Sequence, residues 1–190
     1  MPSQSLPLIL ASGSPRRKEL LAQMGLEYTV DVSKADESFC GPAEEMVLEL
    51  SRRKARSVAA RHPAAIVIAA DTTVCDAQGE ILGKPGTPER AADMLRALSG
   101  RWHSVFTGVT VINTRTGREE CCAVETRVHF VPMSEEDIAF YVATKEPIDK
   151  AGAYGIQGTG GMFIDRIEGS YSNVVGLPTA QLRALLARVC

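Results

Sequence analysis

The chain has 190 residues, 45% of them hydrophobic and 23% charged, with a formal net charge of −2. That length can bury a proper core, the composition is too apolar for a disordered chain, and the slight acidity excludes a general attraction to DNA or RNA. No run approaches about 20 uninterrupted apolar residues, and the start MPSQSLPLILASG lacks the basic and apolar regions of a signal peptide. A cytoplasmic protein with no membrane segment is therefore expected. Five cysteines without CxxC spacing (Cys40, Cys75, Cys121, Cys122, Cys190) suit reduced thiols better than a disulfide framework or a zinc site. Three scattered histidines give no HExxH pattern.

Leu6–Ala11 reads as a short strand that ends in a Ser-Gly-Ser-Pro turn. The spacing of Leu20, Leu21 and Met24 predicts a helix from Pro15 to Met24, stopped by Gly25. Glu27–Val32 reads as a second strand and Lys34–Gly41 as a polar loop. From Pro42 to about Arg61 the pattern is a long amphipathic helix. Its inner stripe holds Met46, Val47, Leu50, Ser57 and Val58, with Lys54 in the middle. Ala65–Ala70 (AIVIAA) is expected to be a central buried strand that stops at Asp71. Thr72–Cys75 and Glu80–Leu82 flank a hairpin turn. Thr87-Pro88-Glu89 opens a helix closed by Gly100. Trp102–Ile112 and Glu119–Val131 are two long strands about a turn at Asn113–Gly117. Ser134-Glu135-Glu136-Asp137 has the form of a capping box for a helix to Thr144. A glycine-rich stretch, Ala151–Gly161, precedes a strand at Met162–Ile167, and Pro178–Val189 forms a final helix. The order predicts one α/β unit with a mixed sheet, spanning 1–190 as a single domain.

Six places along the chain carry residues with chemistry to offer. Arg16, Arg17 and Lys18 crowd the first turn of a helix, where the macrodipole is already positive and each cation costs some tenths of a kcal/mol. An anion docked on the turn would reverse that balance; alone, the turn reads equally as solvated basic surface. Lys54 lies between Leu50 and Val58 on an apolar stripe, so it either snorkels or meets an anionic partner. Asp71, where a buried strand was expected to end, is placed as a ligand to a hard cation or a general base, or simply as a turn cap. Asp36 and Glu37 could add oxygens, and Lys84 could be a second cation. In Asp149–Gly158 the glycines allow close approach to a ligand, and Gln157 could read a base edge through donor and acceptor together. Phosphate, metal and base together point to a nucleotide.

The run Leu8–Leu21 (LILASGSPRRKELL) resembles the opening signature of the Maf family of nucleoside triphosphate pyrophosphatases. The resemblance continues through Ala70-Asp71-Thr72, Gly83-Lys84-Pro85, Asp149–Gly158, Glu168–Tyr171 and Val174–Pro178, in order and over nearly the whole chain. It implies a fold like that of inosine triphosphate pyrophosphatases, a bent mixed sheet flanked by helices with two lobes around a deep cleft. It also implies hydrolysis between the α and β phosphates, with Mg²⁺ or Mn²⁺ required. On this sequence Asp71 matches the proposed proton acceptor. Ser12, Arg17, Glu37, Lys54 and Lys84 match the polar lining of the phosphate and metal site, with Asp71 and Glu37 as the metal carboxylates. Arg16, Thr72 and Gln157 match the positions tied to base choice. Their pattern is that of the dTTP/UTP group, possessing neither the tryptophan nor the glutamate of the 7-methyl-GTP group. The expected substrate is thus dTTP or UTP, or a modified pyrimidine nucleotide removed as house-cleaning. The rivals are a pyrophosphatase for 7-methyl-GTP and a nucleotide-sensing regulator of cell division. A homodimer is compatible with the resemblance; no nucleic-acid partner is expected.

Overall fold

The alternation of apolar runs and amphipathic stretches becomes seven strands, six α-helices and three short 3-10 helices among the described residues, 6–190 of a computed structural model. Residues 1–5, on which part of the signal-peptide reading falls, lie outside the described residues. The strands are β1 (Leu8–Leu10), β2 (Thr29–Val30), β3 (Ile66–Cys75), β4 (Ile81–Leu82), β5 (Trp102–Asn113), β6 (Arg118–Phe130) and β7 (Ile164–Glu168). The helices are α1 (Pro15–Gln23), α2 (Ala43–Ala59), α3 (Pro88–Leu98), α4 (Glu135–Ala143), α5 (Tyr171–Val175) and α6 (Thr179–Val189). One mixed sheet has the order β2-β1-β3-β5-β6-β7, with β4 paired to β3. The expected α/β fold with a helix-flanked mixed sheet is the one observed. The chain divides into two compact units, the first being Met1–Asp71, Thr107–Val124 and Gly176–Cys190, the second Thr72–Phe106 and Glu125–Val175.

In the first unit β1 pairs in parallel with both β2 and β3, Ile9 lying opposite Thr29 on one side and Val67 on the other. Alternation along the strands puts Ile9, Ala11, Val67 and Ala69 on one face, where Ala55 and Val58 of α2 cover them together with Ile112. α2 comes close to β5 because position 108 is glycine: a Cβ there would overlap the carbonyl of Val47. Ser51 and Thr110 share a buried hydroxyl hydrogen bond of 2.8 Å beside that approach. Asn113 donates to the carbonyl of Val189 at 2.8 Å, tying the end of β5 to the last turn of α6.

The second unit has its own core. Ala91, Leu95 and Leu98 of α3 and Ile138 and Tyr141 of α4 join Val74, Val105, Val128 and Phe130 of the sheet. Local signals set both helix starts. The Thr87 hydroxyl accepts from the Arg90 amide, and Ser134 with Asp137 completes the expected capping box. Asn173 of α5 donates from Nδ2 to the Val105 carbonyl (3.0 Å) and to Thr126 Oγ1 (2.9 Å).

Two expectations need correction. β3 does not stop at Asp71 but runs ten residues, from Ile66 to Cys75. The β-branched run Thr72-Thr73-Val74 favours extended chain, and antiparallel pairing of Val74 with Leu82 carries the ladder onward. Asp71 therefore lies inside a strand. The second strand shrinks from Glu27–Val32 to Thr29–Val30, an exposed edge with only three residues of β1 to pair against.

Candidate active site

The turn between β1 and α1 is built around Ser12. Its hydroxyl accepts from the Ser14 amide (3.3 Å) and from Arg17 Nη1 (3.1 Å). Ser14 occupies the N-cap of α1 but makes no side-chain cap bond, Pro15 follows it, and the first turn holds no acidic residue. Arg17 folds back from that turn, and its Nε donates to the Gly176 carbonyl at 2.8 Å. The guanidinium is thus held from two sides, by Ser12 on its own turn and by Gly176, 159 residues beyond Arg17. Burial lowers the Arg17 pKa and Arg16 lowers it further, while the carboxylates of Asp71 and Glu37 oppose the shift. The basic turn is therefore no freely solvated surface: its second arginine feels both of the acids expected at the site.

Lys54 supplies the centre. Its side chain on α2 is only 12% exposed, as is that of Asp71 on β3. The ammonium lies 2.6 Å from Asp71 Oδ1 and 3.0 Å from Glu37 Oε2. Lys54 does not snorkel away from the apolar stripe; it holds two carboxylates of widely separated sequence position. A buried-edge ammonium needs such partners, because leaving it unpaired there is costly. Each carboxylate keeps a second oxygen that the bond to Lys54 does not occupy. Glu37 is the exposed end of the group, at 63%.

Asp36, paired with Glu37 in the sequence reading, turns elsewhere. It accepts from the Ser38 amide and makes a close contact with the Ser38 hydroxyl. Arg53 lies 3.8 Å from Asp36 and donates to the Ser38 carbonyl at 2.8 Å, fixing the loop that carries Glu37. One acid closes the turn while its neighbour reaches Lys54 of α2.

Ser12, Arg17, Lys54, Asp71 and Glu37 thus come together in the first unit, with Arg16 beside Arg17 on the same turn. Thr72, Lys84 and Gln157 belong to the second unit. Thr72 follows Asp71 along β3, so its side chain takes the opposite face of the strand. Lys84 is exposed just after β4. Its neighbours are stitched to the glycine-rich stretch: the Gly152 amide donates to the Gly83 carbonyl (3.2 Å) and the Gly86 amide to the Ile148 carbonyl (3.2 Å). Gly152 has φ +68, and a Cβ there would press on Val74, so only glycine fits the turn. Gln157 is exposed on the loop that follows. Sequence reasoning missed the Gly176 carbonyl as a partner of Arg17, and it missed Glu146 and Tyr141 beneath the Gln157 loop. The only local trace of the latter was the tripeptide Lys145-Glu146-Pro147 ahead of the glycines.

A divalent cation was expected at Asp71 and Glu37. Two carboxylates converging on one ammonium are hard oxygen donors at a spot that already holds a positive charge. Mg²⁺ commonly takes one or two carboxylates and completes its shell with water and substrate phosphate, so the donor set fits. Among the described residues no cluster of three or more His, Cys, Asp or Glu side chains forms a self-sufficient metal cage. Nor, among them, is any helix long and apolar enough to cross a membrane.

Known proteins resemble this chain in sequence and in fold. A "dTTP/UTP pyrophosphatase" of Moorella thermoacetica is 50% identical over 182 residues, covering 95% of this chain and 93% of its own. Proteins of the same name from Desulfotalea psychrophila and Bacillus velezensis are each 51% identical, covering 93% and 94% of this chain and 91% and 94% of their own. Among solved structures, a HAM1 protein from Coxiella burnetii superposes with a TM-score of 0.56 over 96% of this chain and 99% of its own. At 17% identity that likeness is one of fold alone. The family profile described as Maf-like protein matches residues 7–189. With nearly every residue matched, and relatives at half identity over the same span, the chain belongs to the Maf-like family.

Proposed function

We propose that this protein hydrolyses dTTP and UTP to the nucleoside monophosphate and pyrophosphate, with a divalent metal required. The observation that carries the reading is the Lys54 ammonium gripping both Asp71 and Glu37, with Arg17 pinned nearby. Three cations (Arg16, Arg17, Lys54) against two carboxylates favour a polyanion that arrives with its own counter-charge. The names borne by the relatives at half identity support the pyrimidine preference.

In this mechanism the triphosphate lies against the Ser12–Arg17 turn, where main-chain amides and the guanidinium bind phosphate oxygens. Asp71 orients a water and takes its proton as the water attacks the α-phosphorus in line. The bond from the α-phosphorus to the bridging oxygen breaks, and pyrophosphate leaves with the bonding electrons. Arg17, Lys54 and Lys84 stabilise the charge that grows on that leaving group. Asp71 and Glu37 would hold the divalent cation, Mg²⁺ or Mn²⁺, which would add charge neutralisation on the phosphates. Arg16, Thr72 and Gln157 choose the base, Gln157 offering a donor and an acceptor to a pyrimidine imide edge.

The test is pyrophosphate release from dTTP, UTP, CTP, dGTP, ITP and 7-methyl-GTP with Mg²⁺ or Mn²⁺. Fast release from dTTP and UTP, abolished by EDTA, is the expected result. Turnover of 7-methyl-GTP alone would keep the reaction and overturn the base assignment. Tight triphosphate binding with no release would overturn the reaction itself in favour of a sensor.

A further inference from the structure

The loop that bears Gln157 is wrapped round a single carboxylate. Glu146 Oε1 accepts from the Tyr141 hydroxyl at 2.8 Å and from the Gly160 amide at 3.3 Å, while Oε2 accepts from the Thr159 amide at 2.9 Å. The same Tyr141 hydroxyl accepts from the Gly155 amide at 3.1 Å. Two groups thus tie the loop on both sides of Gln157, at 155 before it and at 159 and 160 after it. Within the loop Gly158 bonds back to the Gly155 carbonyl, and Gly161 to the Gly158 carbonyl. The approach is as close as the backbone allows. A Cβ at Gly158 would collide with the Glu146 carboxylate, and one at Gly160 with the Tyr141 oxygen.

Glu146 is itself braced. Lys145 before it adopts a left-handed φ of 63, an uncommon state for lysine, and Pro147 after it is buried. Lys150 Nζ donates to the Glu146 carbonyl at 2.7 Å. Burial pushes the Glu146 pKa up, but the bonds from Tyr141, Thr159 and Gly160, with the Lys150 charge, outweigh that and leave it below the ordinary value. An ionised acceptor with three donors is far stiffer than a loop held by water alone. Tyr141 is fully buried in the core of the second unit, so the brace is anchored to that core.

We propose that Glu146, seated on Tyr141, is a positioning residue for base selection: it fixes the 155–161 loop so that Gln157 meets the base in one orientation. This deepens the pyrimidine reading above and rests on it. Glu146 needs no contact with substrate, because its effect passes through the main-chain amides at 159 and 160. Selection by a hydrogen-bonding side chain requires that the donor and the acceptor be placed, not merely present.

The experiment compares kcat/KM for dTTP and for CTP in the wild type, Glu146→Ala, Glu146→Gln and Tyr141→Phe, with amide hydrogen exchange across residues 155–161. The dTTP-to-CTP ratio is expected to fall roughly tenfold or more in Glu146→Ala, the scale of misplacing a binding group by about 1 Å. Glu146→Gln keeps one acceptor oxygen and is expected to recover part of the ratio. Tyr141→Phe keeps the buried ring and removes only the hydroxyl, so it serves if Glu146→Ala does not fold. An unchanged ratio in the folded variants overturns the inference. A wild type that shows no preference for dTTP over CTP overturns the substrate reading instead. In that case faster exchange at 155–161 in Glu146→Ala supports the brace, and unchanged exchange removes it.

Discussion

The two regions that carry the candidate residues are held together by opposite means. In the first unit, charged side chains from distant elements meet each other: Lys54 from α2, Asp71 from β3 and Glu37 from a loop. In the second, one carboxylate gathers main-chain amides from a glycine-rich loop. The first arrangement concentrates charge, and in the proposed mechanism a change of any member alters the chemistry. The second places backbone, and a change there alters where a neutral side chain points. On the proposed roles, the Lys54 centre serves the reaction and the Gln157 loop serves the choice of base, so damage to each is expected to look different in kinetics.

The largest effect should come from Asp71→Asn, which keeps the shape and removes the base. Turnover is expected to fall by about 10²–10⁴-fold with little change in melting temperature. Near-normal turnover would remove Asp71 from the proton step. Next, Lys54→Met leaves two carboxylates facing each other without their ammonium. A loss on the order of 10²-fold in kcat is expected, together with a lower melting temperature, because the pair is half-buried and then unmatched. If only stability changed, Lys54 would be a structural cation and nothing more.

Gln157→Glu tests the other region. It should cost dTTP and UTP turnover about tenfold or more while leaving the melting temperature near that of the wild type, since the residue is exposed. Equal losses on every nucleotide would show that the loop serves the reaction and not the choice. The smallest effect concerns the core beneath that loop. His103 is buried, with Nε2 at 2.8 Å from the Tyr154 hydroxyl and its ring edge-on to Phe130 and Tyr154. Burial, with a contribution from His129, brings its pKa down to about 4 from the ordinary 6.5. The folded state therefore disfavours the proton. The stability tied to this neutral ring is complete above about pH 6.5 and is lost as the pH falls toward 4. Between those values the melting temperature of wild type should drop faster than that of His103→Phe, and parallel curves would deny the histidine that role.

Much of the first region was legible because its signals are violations of pattern. A lysine on an apolar stripe and an aspartate closing a buried run both stand out, and each proved to be the other's partner. What was not read was which of two adjacent acids turns inward, although Asp36 closes a local turn on the Ser38 amide two residues on, as aspartate favours. The extent of β3 was misjudged for a different reason. A charge normally ends a buried strand, and the lysine that allows it to continue comes from another element. Capped helices were read well, Ser134 with Asp137 foremost, because a capping box is complete within four residues. The short helix α5 was not anticipated, being tied through Asn173 to the Val105 carbonyl 68 residues away. The Glu146 loop was visible only as glycines, whose sequence says that something comes close but not what.

The missing side chain at Gly108 has a consequence well beyond its own position. With no Cβ there, the Val47 carbonyl of α2 can rest against β5, and Lys54 lies two turns further along the same rigid helix. A helix transmits displacement as a rod does, so a single methyl group at 108 would be felt as a shortfall in the lysine's reach to Asp71. The tolerance of the charged centre is thus tied to the spacing of α2 from β5 beneath it, where none of the site's own side chains takes part.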